Sequence, residues 1–334
     1  MVTSRDVARE AGVSQSTVSY VMSGKRPLSD DTLRRVDEAM TRLGYQPNSR
    51  ARALAAKRSH VVGLMIPLSP RIEAASLMRF IQVIASEARG HGHDILLVTE
   101  DEGASGMQRV IGEQICDGLI LMQVETDDER IPVVRDLKVP VVVIGVPGDA
   151  ESITCVDADY RSAAELAVDF LAARGHRQVT FVDWPSGLRQ RDVNFIERFD
   201  AGVAAAAQRS GIEVLQVEGG AHRETIGRAV RSGLEASNYP AFLVPDSGVQ
   251  AMLQESLMLE GRRPGLDVSL IGSGEDAPQQ IVPLTTIDFV PNVVSARAVE
   301  LLVAGLDGRR ELDGQVHLEV PTITERESTI VVPT

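Results

Sequence analysis

From residue 60 onward, short apolar runs alternate with stretches of helical periodicity, and no other feature limits the fold as much. The runs 61–66, 94–98, 118–122 and 139–144 are mostly apolar and of strand length, the pattern of parallel strands covered on both faces. Helical patterns such as 77–89 and 131–137 lie between them. The alternation resumes with helices at 163–173 and 201–209 and strands at 178–182, 241–244 and 268–271. Two successive βα sets predict an α/β body of two doubly wound parallel-sheet lobes, because one sheet holding every strand would be unusually wide. Such lobes bind ligands in the crevice at the carboxyl ends of their strands.

The first sixty residues follow a different grammar. Thr3-Ser4-Arg5-Asp6 has the form of a capping box, and Val7, Ala8 and Ala11 follow at helical spacing. Gly12 breaks that helix, and Ser14 caps a second one with Val18, Val21 and Met22 on its inner face. Two short helices joined at a glycine describe a helix-turn-helix. A third helix follows Ser29, with Leu33, Val36, Met40 and Leu43 on one side and Gly44 at its end. These faces can be buried only against one another, which gives a three-helix head with a thin core.

The outward side of the second helix carries Gln15, Ser16, Thr17, Ser19 and Tyr20. Short neutral donors and acceptors approach base edges and phosphates with no charge to desolvate, and Gln pairs with adenine through two hydrogen bonds. A generic three-helix bundle with a polar face would show the same pattern. The charge along the chain is uneven. The chain has a formal net charge of −13, yet residues 1–58 hold 11 basic and 6 acidic residues against 23 and 41 in the remainder. A basic head on an acidic body marks a nucleic-acid or membrane contact confined to one segment.

The start has no apolar stretch of signal-peptide type, and no apolar run reaches the ~18 residues that span a bilayer, so a cytoplasmic protein is expected. Cys116 and Cys155 lack CxxC spacing and read as buried free thiols in a reducing compartment.

The run Asp6-Val7-Ala8-Arg9-Glu10-Ala11-Gly12-Val13-Ser14-Gln15-Ser16-Thr17-Val18-Ser19, with Leu43-Gly44-Tyr45-Gln46-Pro47-Asn48 and Ala53-Leu54-Ala55, resembles the LacI/GalR family of bacterial transcription repressors, and the resemblance extends over the whole chain. It implies a helix-turn-helix head at 1–47, a hinge at 48–59, and a body at 60–334 with the fold of type I periplasmic binding proteins. In that fold the chain crosses three times between a lobe of about 60–158 plus 288–317 and one of about 159–287 plus 318–334. It also implies that the second helix enters the major groove, with Gln15, Ser16 and Tyr20 at base-reading positions. Many members have Arg where this chain has Tyr20, which leaves the operator preference open at that contact.

The expected DNA-contacting set is Thr3, Ser14, Gln15, Ser16, Thr17, Ser19, Tyr20 and Lys25 in the head and Asn48, Arg50, Ala51, Arg52 and Leu54 in the hinge. Read by itself, the Ala-rich basic segment 48–57 is a linker of moderate helix propensity, and isolated helices of that length are marginal. The resemblance implies paired hinge helices that order in the minor groove, with Leu54 as a wedge between base steps.

The pocket departs from that of sugar-responsive relatives. Where they show Asn-Asp this chain has Pro245-Asp246; an expected Asp is Gly274, followed by Glu275; a frequent Gln is Phe289; and the expected Arg is either Arg198, displaced by one residue, or absent. Each lost group is a polar partner for a hydroxyl, and an unpaired buried hydroxyl costs about 1–3 kcal/mol. An ordinary hexose in the usual pose is therefore disfavoured. The effector-binding candidates are Arg71, Glu73, Gln123, Trp184, Arg198, Asp246, Glu275 and Phe289. A Trp and a Phe beside a few charges stack on a sugar ring or an aromatic metabolite; equally, Trp184 covers a core edge and the crevice is degenerate.

Signals for catalysis are weak. Gly272-Ser273-Gly274-Glu275-Asp276-Ala277 fits GxGxxA, but Pro278, Pro283 and a strand-like 284–289 leave no room for the helix that the fingerprint requires, so a plain loop is expected. No GxxxxGK[ST], HExxH or GxSxG is present. His91 and His93 flank Gly92 and read as a solvated turn instead of a metal pair. The expectation is a non-enzymatic homodimeric repressor with no cofactor or metal, regulated by a small molecule. A dimer is favoured over a coiled-coil tetramer because the sequence shows no heptad tail. An effectorless repressor, or a soluble binding protein whose head docks a protein partner, is the alternative.

Overall fold

Thr3 opens the first helix with both halves of a capping box: its hydroxyl accepts from the Asp6 amide at 3.4 Å, and the Asp6 carboxylate accepts from the Thr3 amide at 3.0 Å. The computed structural model describes residues 2–23, 28–45, 58–66, 74–99, 102–220, 222–274, 281–309 and 312–333. Helix α1 (Ser4–Ala11) ends at Gly12, whose φ of 64° is the left-handed cap that glycine adopts without a Cβ clash. Ser14 accepts from the Thr17 amide at 3.1 Å and starts α2 (Gln15–Ser23); Ser29 accepts from Thr32 at 3.4 Å and starts α3 (Asp30–Leu43), which ends at Gly44.

Val7, Ala8, Ala11, Val18, Val36 and Ala39 form the buried core of this head. Arg35 locks it by donating to the carbonyls of Ala11 at 2.7 Å and Gly12 at 3.0 Å, the orphan acceptors at the end of α1. Leu33 was expected on the inner face and is exposed instead. It lies in the first turn of α3, which at 14 residues outruns its 8- and 9-residue partners, and Ala39 fills the core in its place.

In the body the first strands and helices follow in chain order: β1 (Val61–Met65), α4 (Ala74–Gly90), β2 (Asp94–Val98), α5 (Gly103–Gly112), β3 (Gly118–Leu121), α6 (Arg130–Asp136), β4 (Val141–Ile144) and β5 (Cys155–Ala158). The second set is α7 (Tyr160–Ala173), β6 (Gln178–Pro185), the short α8 (Ser186–Arg189), α9 (Asn194–Ser210), β7 (Glu213–Gly219), α10 (Arg223–Ala236), β8 (Ala241–Leu243), α11 (Gln250–Leu259), β9 (Ser269–Ser273) and β10 (Thr285–Asp288). Then come α12 (Pro291–Leu306), β11 (Val316–Glu319) and β12 (Thr322–Thr324).

Two sheets result, in the orders β11-β5-β4-β3-β1-β2 and β12-β10-β9-β8-β6-β7. Every pairing is parallel except β10 with β12. The chain leaves the first sheet after β5, returns to it through α12 and β11, and leaves again for β12.

Alternation along the strands fills a core on each face of each sheet. Leu119 and Leu121 of β3 pack with Met107, Val110 and Ile131, whereas Ile120 packs with Leu77, Ile84 and Leu302 on the other side. In the second sheet Phe181 and Leu243 face α7 and α9, and Val182 and Phe242 face α10 and α11. Cys116 and Cys155 are free and buried in the first lobe, and burial pushes their thiols up to about 11 and about 12.

The turn at His91-Gly92-His93 differs from its sequence reading. His91 is exposed, but His93 is 5% exposed, its ring 5.6 Å from that of His60 and its Nδ1 3.1 Å from the His91 carbonyl. Residue 60 leads into β1, next to β2 in the sheet, so the neighbouring strand covers this histidine.

Arg58 lies against the end of α12. It donates to the Leu306 carbonyl at 2.6 Å and lies 3.6 Å from Asp307, which satisfies the end of α12. Asp117 accepts from the amides of Ser59 and His60 at 2.7 and 2.8 Å. Residues 58–60 are thereby fastened to the first lobe.

Candidate functional site

Two places bring functional side chains together. The first is the outer face of α2. Gln15, Ser16, Ser19 and Tyr20 are exposed there, Thr17 is half-buried, and Thr3 and Ser14 are exposed beside them. Gln15 is held: its Nε2 donates to the Ser4 hydroxyl at 3.0 Å. Ser14 Oγ lies 2.8 Å from both Ser16 Oγ and Thr17 Oγ1, a hydroxyl cluster at the positive end of the helix. Amide and hydroxyl groups at a helix N-terminus are equipped to meet phosphates and base edges. Lys25, Asn48, Arg50, Ala51, Arg52 and Leu54 lie outside the described residues.

The second place is the space between the lobes. Arg71, Glu73 and Glu275 lie outside the described residues, as do 276 and 277 of the GxGxxA segment. Gly272 and Ser273 of that segment end β9, where Gln250 packs on them and donates to the Ser273 carbonyl at 3.1 Å. Gln123, Trp184, Arg198, Asp246 and Phe289 are described, and they do not form one polar cluster.

Arg198 bonds the Asp157 carboxylate, which is buried at the end of β5. Burial pushes that carboxyl up and the guanidinium opposes it. Asp246 accepts from the Gly248 amide at 3.0 Å and caps the turn 247–249. Trp184 and Phe289 belong to a chain of rings. Trp184 stands edge-on to Phe195 with centroids 5.2 Å apart, Phe195 tilts against Tyr160 at 4.8 Å, and Tyr160 lies 4.7 Å from Phe289. Tyr160 and Phe289 pack against the cores of both lobes.

Gln123 is engaged across the crevice. Its side-chain Oε1 accepts from Arg191 Nη1 at 2.9 Å, its carbonyl accepts from Nη2 at 3.2 Å, and Glu125 Oε1 accepts from Arg191 Nε at 3.1 Å. Alongside, the Asp192 carbonyl accepts from the Thr126 amide at 2.7 Å and its hydroxyl at 2.6 Å. The loop after β3 is stiffened from behind by a buried pair, Asp128 with Arg130, at 2.7 Å. Arg130 also donates to the carbonyls of Met122 and Gln123 at 3.2 Å. Burial raises the Asp128 carboxyl, but the bonds from Arg130 and two backbone amides outweigh it and hold the group below its ordinary value.

Residues 3–48 match the model of bacterial regulatory proteins of the lacI family. The chain is also 34% identical over 246 residues to catabolite control protein A of Priestia megaterium, spanning 72% of each protein. The chain belongs to the LacI family of bacterial transcription regulators.

A LacI-family relative in Staphylococcus xylosus, the HTH-type transcriptional regulator MalR, is 26% identical over 99% of both chains. Residues 168–329 match a periplasmic binding protein-like domain. The structure of the lac repressor dimer bound to operator and the anti-inducer ONPF has a TM-score of 0.78 with 25% identity, over 98% of this chain and 99% of that one. Membership makes the protein a DNA-binding regulator and not an enzyme, with a reading head and effector-binding lobes.

Sequence reasoning missed Ser4, Arg191, Asp192, Thr126 and Asp157, and three rings of the aromatic cluster, Tyr160, Phe195 and Phe199. Ser4 was within reach, since a hydroxyl at the start of α1 faces the start of the next helix. An open groove lined by Glu87, His91, Asn292, Arg297, Glu300 and Glu319 holds His91 of the 91–93 turn and none of the DNA- or effector-binding candidates.

Proposed function

We propose that this LacI-family protein is a cytoplasmic homodimeric repressor, placed on the nucleoid when bound. It reads a near-palindromic operator with α2 in the major groove and the segment 48–57 in the minor groove. The exposed amide and hydroxyl face of α2, with Gln15 oriented by Ser4, carries this reading. Gln15, Ser16 and Tyr20 read bases; Thr3, Ser14, Thr17, Ser19 and Lys25 touch phosphates; Asn48, Arg50, Ala51, Arg52 and Leu54 enter the minor groove. Exposed Met78 on α4 and Leu97 on the edge strand β2 support a self-association face on the first lobe. Two weakly binding heads joined in one dimer raise each other's effective concentration.

The lobes hold a small molecule that sets operator affinity, by a coupling of the usual size, about 1–3 kcal/mol. Arg198 is already matched by Asp157, which supports a ligand other than an ordinary hexose in the usual pose. The same pairing also favours the second reading, an effectorless repressor. Selection of bound sequences from random DNA, followed by thermal melting with a metabolite panel, separates them. An enriched two-fold half-site with a concentration-dependent melting increase for one compound supports the first reading. A half-site with no responsive compound supports the second, and no enriched sequence refutes both.

A further inference from the structure

Nε1 of Trp184 is buried with no hydrogen-bond partner, and so is Nε of Arg198. Trp184 itself is 7% exposed. Buried donors in native proteins nearly always meet an acceptor, because leaving one unpaired forfeits the hydration it had in the unfolded chain. Both donors belong to one aromatic neighbourhood. Arg198 holds its guanidinium carbon 5.6 Å from the centre of the Tyr160 ring, and Tyr160 reaches Trp184 through Phe195. With Phe181, Phe199 and Phe289, six of the chain's twelve aromatic residues gather here. Tyr160, Phe195 and Phe289 remain half-buried.

Charge restricts the occupant further. Around this cluster Arg198 is paired with Asp157, Arg189 with Asp183 and Asp200, and Arg191 with Glu125. Each of these cations has its carboxylate, so an anionic ligand would gain little from them and would meet an acidic body. A polyhydroxylated ring would need several matched polar partners where the described residues around Trp184 offer rings.

We propose that the crevice takes a neutral ligand with a flat, unsaturated ring that bears a carbonyl or carboxamide oxygen. The ring packs on Tyr160, Phe195 and Phe289, and the oxygen accepts from Trp184 Nε1. This rests on the reading of the crevice as the effector site.

Trp184 is the only tryptophan of the chain, so its fluorescence reports this place alone. The full chain is titrated with benzamide, benzoate, cyclohexanecarboxamide and glucose, following tryptophan emission, melting temperature and affinity for the selected operator. Benzamide is expected to give a saturable emission change and a melting increase, with benzoate and cyclohexanecarboxamide at least tenfold weaker and glucose without effect. In Trp184→Phe, with folding verified by circular dichroism, the benzamide-dependent melting increase requires at least tenfold more ligand. Equal or stronger binding of glucose, benzoate or the saturated amide overturns the proposal, as does the absence of binding by all four. Saturable benzamide binding that leaves operator affinity unchanged upholds the ligand class and refutes the effector reading. An operator response to glucose with Trp184 emission unmoved does the reverse.

Discussion

Arg191 of the second lobe donates to the side-chain oxygen of Gln123 in the first at 2.9 Å, and this bond bridges the crevice. Glu125 and the Gln123 carbonyl complete a three-way grip on one guanidinium, which is 13% exposed. Gln123 and Asp192, one on each side of the crevice, have φ of 57° and 53°, a backbone region that non-glycine residues enter only when their surroundings hold them there.

Replacing Arg191 by Ala removes this grip and leaves the Thr126–Asp192 bonds. Hydrogen bonds to a charged group contribute about 1.5–3 kcal/mol, discounted here because Glu125 is 42% exposed, so closure should weaken by about 1–2 kcal/mol. Small-angle scattering should show a larger radius of gyration in Arg191→Ala than in the parent, with Arg191→Lys between them. Identical scattering curves would mean that the rings and the covalent crossovers set closure by themselves.

Gln15 should act on specificity and not on stability. Gln15→Ala is expected to cost about 1–3 kcal/mol in operator affinity and to relax the preference at one base position. Its melting temperature should match the parent, since Gln15 is exposed. Ser4→Ala should reproduce part of the loss, because Ser4 only aims the amide. Binding curves on the selected operator and on a single-position variant check both.

His176 provides a pH test of the second lobe. Its Nε2 lies 2.8 Å from the Ser269 hydroxyl and its Nδ1 3.1 Å from the Tyr239 carbonyl, which fits a neutral ring that accepts at Nε2 and donates at Nδ1. Burial pushes its pKa down. The unfolded chain therefore binds the proton more readily, and stability falls as pH drops below the unfolded value of about 6.5 and levels off below the native one. Urea unfolding between about pH 7.5 and about pH 5 should show this loss, and His176→Phe should flatten that part of the profile while costing about 1–3 kcal/mol at neutral pH.

The head was legible because its signals are local. Thr3, Ser14 and Ser29 each cap an amide three residues ahead, and Gly12 and Gly44 end helices where a left-handed residue is needed. The alternation of strands and helices was equally plain, since burial on both faces leaves unbroken apolar runs. The crevice was not legible, because its decisive pairs are distant in sequence: Arg191 with Gln123 across 68 residues and Arg198 with Asp157 across 41. No periodicity couples such positions. Leu33 and His93 were misplaced for a related reason, as helix length and a neighbouring strand decide their exposure.

Operator binding by the basic head is the central claim, and its dependence on salt tests it most directly. The affinity of the full chain for its selected operator should fall by about 10³–10⁵ between about 50 and about 200 mM salt if some 6–10 phosphates are contacted. A two-fold symmetric site bound with that slope is the result expected. Affinity unchanged across the same range would contradict phosphate contact by the head, and with it the assignment of α2 as the DNA-reading helix.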